Sequence, residues 1–358
     1  MNRVLHVAEN IKGGVATYLD IQEKYIFNDD QWESIYILPS SQVEEVSVAN
    51  KIKFKGKKRP WKVFYLVLKI REYFEKDKCD ILFLHSTFSG FAYVIYKIIF
   101  GMKKEEIKVL YCAHGWSSTR GKKGVNGQLS IWLDRLIINF SHVVISISKN
   151  EQSHAENVLK TTKSVHIYNG INFLEKVGEV DYKKKPEDKI KILFIGRLDD
   201  QKGFDILYKA FKDGLVDKRF TLGVIGEGVN NESLYKGTDR VNFKGWISRC
   251  EIYEHMSSYD VLIMPSRWEG FGFVALESIS QGLPVVGSNV GGLPEIIENC
   301  GSVVIMDCHA SIANRINEIT YEKIVKWKKN IKERNLDIFS VEIFSMKIKK
   351  IYESLLSD

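Results

Sequence analysis

The chain is poor in the residues that build disulfide-framed or metal-stapled folds. Its 358 residues include five cysteines and six prolines. Cys79, Cys112, Cys250, Cys300 and Cys308 are odd in number and form no CxxC pair. They read as reduced thiols, not as a disulfide frame or a zinc site. No apolar run reaches the roughly 18 residues that span a bilayer, and the best candidate, residues 88–100, carries Lys97. The opening MNRVLHVAEN lacks the basic stretch and long apolar run of a secretory leader. A cytoplasmic protein is therefore expected. No HExxH spacing occurs among the eight histidines, so no metal is expected. The GxGxxG fingerprint is also missing, and the strand-like SIYILPS (34–40) ends without the acidic residue of a dinucleotide site. These absences speak against a nicotinamide enzyme.

What is present is ordinary globular composition, 44% hydrophobic and 27% charged, over a length that suits two domains. Charge divides the chain unevenly. Residues 1–185 carry 29 Lys and Arg against 20 Asp and Glu, whereas residues 186–358 carry 23 against 25. The polar DYKKKPEDK (181–189) stands at that divide and reads as a linker. Each half contains short runs rich in Val, Ile and Leu, among them VLHVA (4–8), DILFLH (80–85), KVLYCAH (108–114), KILFIG (191–196) and DVLIMPS (260–266). Continuous apolar strands alternating with helical patterns imply parallel sheets covered on both faces. The expected fold class is α/β, with two Rossmann-like doubly wound domains. Such sheets bind ligands at the carboxyl ends of their strands. The stretch 341–356 has the i, i+3, i+4 rhythm of an amphipathic helix.

Candidate chemistry concentrates in four places. In EGFGFVALE (269–277), small residues mark a strand-to-helix turn whose amides can receive a diphosphate. Glu277, about two turns into the helix, could hold a ribose diol, and Glu269 a second sugar. In IGRLDDQKG (195–203), Arg197 and Lys202 suit the two ends of a diphosphate, a planar fork and a mobile point charge. They would also stabilise charge growing on a departing nucleotide. The competing reading is a surface pair neutralised by Asp199 and Asp200. In ENIKGGVATYL (9–19), Gly13 and Gly14 allow close approach of a ligand to backbone. His85 and His114 end predicted strands in LHSTFSG and CAHGW.

Taken in order, GGVATYL, HSTFSG, AHGW, SISKN (146–150), YNGIN (168–172), IGRLDDQKG, VIGEG (224–228), FKGW (243–246) and the paired glutamates of EGFGFVALE resemble the retaining glycosyltransferases of family 4. The resemblance covers nearly the whole chain. It implies the GT-B architecture of two facing Rossmann-like domains: an acceptor-side domain over 1–180, a nucleotide-sugar domain over 187–338, and a helix over 339–358 packing back on the first. It implies transfer of a hexosyl or N-acetylhexosaminyl unit from a nucleotide sugar, UDP-linked before GDP-linked, with retention and without metal or other cofactor. Arg197 and Lys202 would clamp the diphosphate, Glu277 the ribose and Glu269 the donor sugar. Phe271, Gly272 and Phe273 would present backbone amides, and Gly14 would let the N-terminal loop approach the phosphates. His114 would lie near the reacting carbon, and the backbone at Trp246 and Ile247 would border the base. The acceptor would be a glycan, lipid-linked, in bacterial O-antigen, capsule or exopolysaccharide synthesis.

Two rivals come from other classes. A glycoside hydrolase also uses two carboxylates, but sets them across the scissile bond at about 5 or 6.5–9.5 Å. A non-catalytic nucleotide-sugar binding module would need a lost site residue. A separate feature is residues 51–71, KIKFKGKKRPWKVFYLVLKIR, with nine Lys or Arg and no Asp or Glu. Its basic residues, with Trp61, Phe64 and Tyr65 among them, point to an anionic membrane surface, which would place the protein peripherally at the inner face of the plasma membrane. A solvated loop before an ordinary core helix is the plainer alternative. Nucleic acid is not expected, since no nucleic-acid module accompanies the charge.

Overall fold

The structure, a computed structural model, describes residues 1–28, 30–56, 59–101, 107–120, 124–173, 188–228 and 235–357. Residues 181–187 of the expected linker, and Lys57 and Lys58 of the basic segment, lie outside the described residues. The chain forms two compact units, Met1–Asn172 together with Asp337–Asp358, and Phe173–Leu336.

In the first unit β1 (Asn2–Ala8), β2 (Trp32–Pro39), β3 (Lys51–Phe54), β4 (Ile81–His85), β5 (Lys108–Cys112), β6 (Val143–Ser146) and β7 (Ser164–His166) make one sheet. Their spatial order is β3-β2-β1-β4-β5-β6-β7, and every pairing is parallel. All five residues of β4 are buried, the signature of a strand covered on both faces. Leu5, Val7, Leu82, Leu84, Val109 and Tyr111 lead a core that the helices Arg59–Lys76, Thr87–Phe100 and Val125–Asn139 cover. Strand β3 escapes the apolar-run pattern. Its KIKF alternates lysine with apolar residues and pairs only with β2, from Tyr36 opposite Lys51 to Pro39 opposite Phe54. Lysine on an edge strand discourages pairing with another chain. The first residues of the basic segment are thus sheet, not loop.

The helix Val341–Ser357 packs on Gly14–Tyr25 within this unit. Its Val341, Phe344, Ile348, Tyr352 and Leu355 are buried and form its apolar stripe. The Tyr352 hydroxyl donates to Gln22 Oε1 at 2.5 Å. Gly170 lets the chain cross closely, since a Cβ there would stand 2.8 Å from Val341 Cα.

In the second unit β8 (Ile190–Ile195), β9 (Phe220–Ile225), β10 (Val241–Phe243), β11 (Val261–Met264), β12 (Val285–Ser288) and β13 (Gly301–Val304) form a second parallel sheet, ordered β10-β9-β8-β11-β12-β13. Both sheets reverse direction of growth once, between β1 and β4 in the first and between β8 and β11 in the second. Doubly wound sheets open a crevice at that switch point, beyond the carboxyl ends of the strands.

Candidate functional site

In the second unit the candidate residues stand at the switch point. Arg197 and Lys202 follow β8, and Glu269 follows β11. Lys202 Nζ meets Glu269 Oε2 at 2.6 Å, and both side chains are largely buried. Arg197 donates to Gln201 Oε1 at 2.7 Å and pairs with Asp199 at 3.2 Å. The pairing expected of a plain surface loop therefore holds for Arg197 but not for Lys202, whose partner lies on the neighbouring strand's loop. Arg267, on the loop after β11, braces the loop after β8 and the start of the helix Phe204–Lys212. It donates to both Asp205 carboxylate oxygens at 2.7 and 2.6 Å and to the Asp200 carbonyl, while its amide donates to the Gln201 carbonyl at 2.8 Å. The Arg267 guanidinium holds the Asp205 carboxyl below its ordinary range. Sequence reading passes over Arg267 and Gln201, although the arginine sits beside the EGFG turn.

Glycines let these loops approach one another. Gly203 has φ +66°, and a Cβ there would stand 2.0 Å from the Pro265 carbonyl oxygen. At Gly226, φ +144°, a Cβ would reach within 1.9 Å of the Gly196 oxygen. Side chains at these positions would push the β8, β9 and β11 loops apart. The segment NVGGLPE (289–295) serves the same end, because the Gly292 amide donates to the Gly270 carbonyl at 3.0 Å.

Gly272, φ 103°, caps the helix Phe273–Ser280 without a side chain, and Phe271 before it is buried. Glu277 is buried as well. The helix begins at Phe273, so Glu277 stands about one turn into it, not two. Trp246 is exposed and Ile247 half-buried. The Trp246 amide donates to Glu227 Oε1 at 3.4 Å, and the Leu198 amide donates to the Glu227 carbonyl at 3.0 Å. Glu227 thereby ties the turn after β10 to the Arg197 loop.

The first unit's candidates also stand at their sheet's switch point. Gly14 opens the helix Gly14–Tyr25 after β1, but Gly13 is the residue in the left-handed region, at φ 72°. His85 ends β4. Strand β5 stops at Cys112, so His114 lies two residues beyond the strand and takes φ 51°. His85 Nδ1 and His114 Nε2 are 3.0 Å apart. His85 Nε2 and His6 Nδ1, on β1, are also 3.0 Å apart. Burial pushes the His6 and His114 imidazoles down to about 3, and burial together with its two neighbours also holds His85 well below its ordinary value. All three are neutral at physiological pH.

Residues 35–173 match the family described as Glycosyltransferase Family 4, and residues 179–335 match Glycosyl transferases group 1. An uncharacterized 41.2 kDa protein in the cps region of Klebsiella pneumoniae is 32% identical over 88% of this chain and 88% of its own. The O-antigen biosynthesis glycosyltransferase WclY of Escherichia coli is 29% identical over 63% of this chain and 62% of its own. Among solved structures, Anabaena Alr3699/HepE in complex with UDP-glucose superposes with a TM-score of 0.72 at 20% identity, covering 98% of this chain and 99% of that one. At that identity the likeness speaks to the fold, which is GT-B. The chain belongs to the glycosyltransferases, with a family 4 region in its first half and a group 1 region in its second.

Proposed function

We propose that the protein transfers a hexosyl or N-acetylhexosaminyl unit from a UDP-sugar to a glycan acceptor, with retention of configuration and without metal. The observation that carries this reading is the cluster at the β8–β11 switch point. There two cations and a glutamate are held on adjacent loops that interlock through glycines. In the reaction the bond from the anomeric carbon to the diphosphate oxygen breaks. The acceptor hydroxyl oxygen bonds to that carbon on the same face, and its proton passes to the departing diphosphate. Arg197 and Lys202 take up the charge growing on that leaving group. Glu269 receives the donor sugar's hydroxyls, and Glu277 the ribose. The amides at Phe271, Gly272 and Phe273 meet the phosphates, the backbone at Trp246 and Ile247 borders the base, and Gly13 with Gly14 lets the first unit's loop approach. His114 stands near the reacting carbon. HepE, a protein of this fold described with UDP and with UDP-glucose, supports the choice of nucleotide.

The setting proposed is synthesis of a bacterial surface polysaccharide, as the cps-region and O-antigen relatives suggest, on a lipid-linked acceptor at the cytosolic face of the membrane. Among the described residues no helix is long and apolar enough to cross a bilayer. The basic segment would meet lipid less by charge than its composition suggests. Lys51 donates to the Val43 and Val46 carbonyls, and Lys62, Lys69 and Arg71 pair with Glu9, Glu72 and Glu75. Trp61, Phe64, Tyr65 and Leu68 are exposed on the same helix. They adjoin an apolar groove of about 480 Å³ between this helix and Thr87–Phe100.

The deciding experiment incubates the protein with a panel of UDP- and GDP-sugars plus chelator, and follows free nucleotide and, with acceptor, the new linkage by proton NMR. Release from a UDP-sugar and a retained anomer are expected. An inverted product, or cleavage of an oligosaccharide without nucleotide, would overturn the reading. Flotation with anionic and neutral liposomes tests the membrane face. Binding should drop when Trp61 and Phe64 become Ser.

A further inference from the structure

His6, His85 and His114 lie on one diagonal of the first sheet. His6 is opposite Phe83, two residues before His85, and His85 is opposite Cys112, two residues before His114. Each step moves one strand across and two residues along, which keeps His6 and His85 on the same face of the pleat, and the turn beyond β5 brings the His114 ring onto that line. The ring planes are within 13° and 25° of parallel, with centroids 5.2 and 5.3 Å apart and nitrogens at 3.0 Å. That is an edge-to-edge chain of imidazoles, the arrangement an N–H···N hydrogen bond needs.

We propose that His85 and His6 are positioning residues that fix the tautomer of His114, so that all three rings carry their proton on Nδ1 and His114 presents an Nδ1–H donor. The bookkeeping of protons leads there. Each neutral imidazole has one N–H and one acceptor nitrogen. Both nitrogens of His85 are engaged, so it donates through one and accepts through the other. Only two arrangements satisfy both contacts. In one, His6 Nδ1–H donates to His85 Nε2, His85 Nδ1–H donates to His114 Nε2, and His114 Nδ1–H points onward. In the other, every proton is reversed, and His6 Nε2 carries a hydrogen. But among the described residues His6 Nε2 is buried without a hydrogen-bond partner. An orphaned buried N–H is rarer than an orphaned acceptor, so the first arrangement prevails. Low polarity around the rings keeps all three neutral. Tyr18 packs edge-on against both His114 and His85, with ring centroids 4.6 and 5.7 Å away, and holds the end of the chain in place. The consequence for function rests on the reading that His114 stands near the reacting carbon. There the His114 Nδ1–H is a fixed neutral donor for an oxygen of the donor sugar, not a base and not a general acid.

The test uses the full-length protein labelled with 15N-histidine at neutral pH and reads two-bond 15N–1H correlations, which separate protonated from bare ring nitrogens. Single His→Gln variants assign the signals. Protonated Nδ1 in all three rings is expected, against the Nε2–H form that free histidine prefers. An Nε2–H on any of the three overturns the proposal. In His85→Phe, which keeps ring bulk but no nitrogen, His114 should revert to Nε2–H. If it keeps Nδ1–H, His85 does not position it. The same variant should lower transfer about tenfold, one hydrogen bond's worth of transition-state stabilisation, while UDP affinity stays unchanged. The spectra are read without substrate, so a failure of the tautomer assignment and a failure of the transferase reading are separate results.

Discussion

The two switch points solve the same problem with opposite chemistry. At the second, between β8 and β11, charges of both signs are held in place: Lys202 on Glu269, Arg197 on Asp199, Arg267 on Asp205. At the first, between β1 and β4, neutral imidazoles are lined up among Tyr18, Tyr36 and Phe83. The difference follows from what surrounds each group. Loops beyond a sheet can keep ions because water and partner charges reach them, whereas His6 and His85 sit inside the sheet's covered face and lose their charge by desolvation. A charged rim suits a diphosphate, and an uncharged one suits an orienting hydrogen bond. The backbone differs too. The second rim is interlocked through glycines, while at Gly13 in the first a Cβ would meet nothing within 4 Å.

That contrast can be broken most sharply by adding methyl groups. Gly203→Ala and Gly226→Ala should each cost about 3 kcal/mol or more, from backbone clash and strain together. Gly13→Ala should cost less, about 1–3 kcal/mol, from backbone strain alone at its φ of 72° and ψ of −128°. Urea unfolding compares them, and equal losses would erase the distinction. Next in size, Arg197→Ala and Lys202→Ala should each slow transfer about 100-fold, the effect of removing a donor to transition-state charge. They should differ in stability. Lys202→Ala strands the largely buried Glu269 and should cost about 1–3 kcal/mol, whereas Arg197→Ala, on a more exposed side chain, should be nearly neutral. Thermal melts beside the kinetic assay separate the two roles.

Acid sharpens the comparison from the other side. Folded His6 and His114 bind protons only near pH 3, against 6.5 when unfolded, and His85 is shifted in the same direction. Between those values the unfolded chain takes up protons that the folded one refuses. Stability is therefore full above pH 6.5 and falls as pH falls through the window. Urea midpoints at pH 7.5 and 5.5 should show the drop, and His114→Gln should shrink it. An unchanged drop would mean that His114 titrates normally. Asp205 shifts the same way for the opposite reason, its folded pKa depressed because the Arg267 guanidinium favours the charged carboxylate. Arg267→Ala should cost about 1 kcal/mol or less, as for a partly exposed pair. The cost should persist down to the ordinary aspartate value of 3.8 and fade below it.

The sequence by itself determined the α/β class and nearly every strand, because a strand buried on both faces must be written as a short apolar run. It also put Arg197, Lys202 and Glu269 at strand ends, since loops there keep their glycines and charges close together in the chain, but it set Glu277 one helical turn too far in. It missed β3, whose lysines alternate at an open edge, and Arg267, which sits in a legible motif but acts on another loop. Which residues meet was decided by tertiary structure. Lys202 and Glu269 are brought together only because β8 and β11 are neighbours at the reversal of strand order. His6, His85 and His114, far apart in the chain, form one line only through the register of β1, β4 and β5. Sequence spacing carries the period within an element, but contact between elements depends on strand order and register, which arise when all the apolar faces are buried at once.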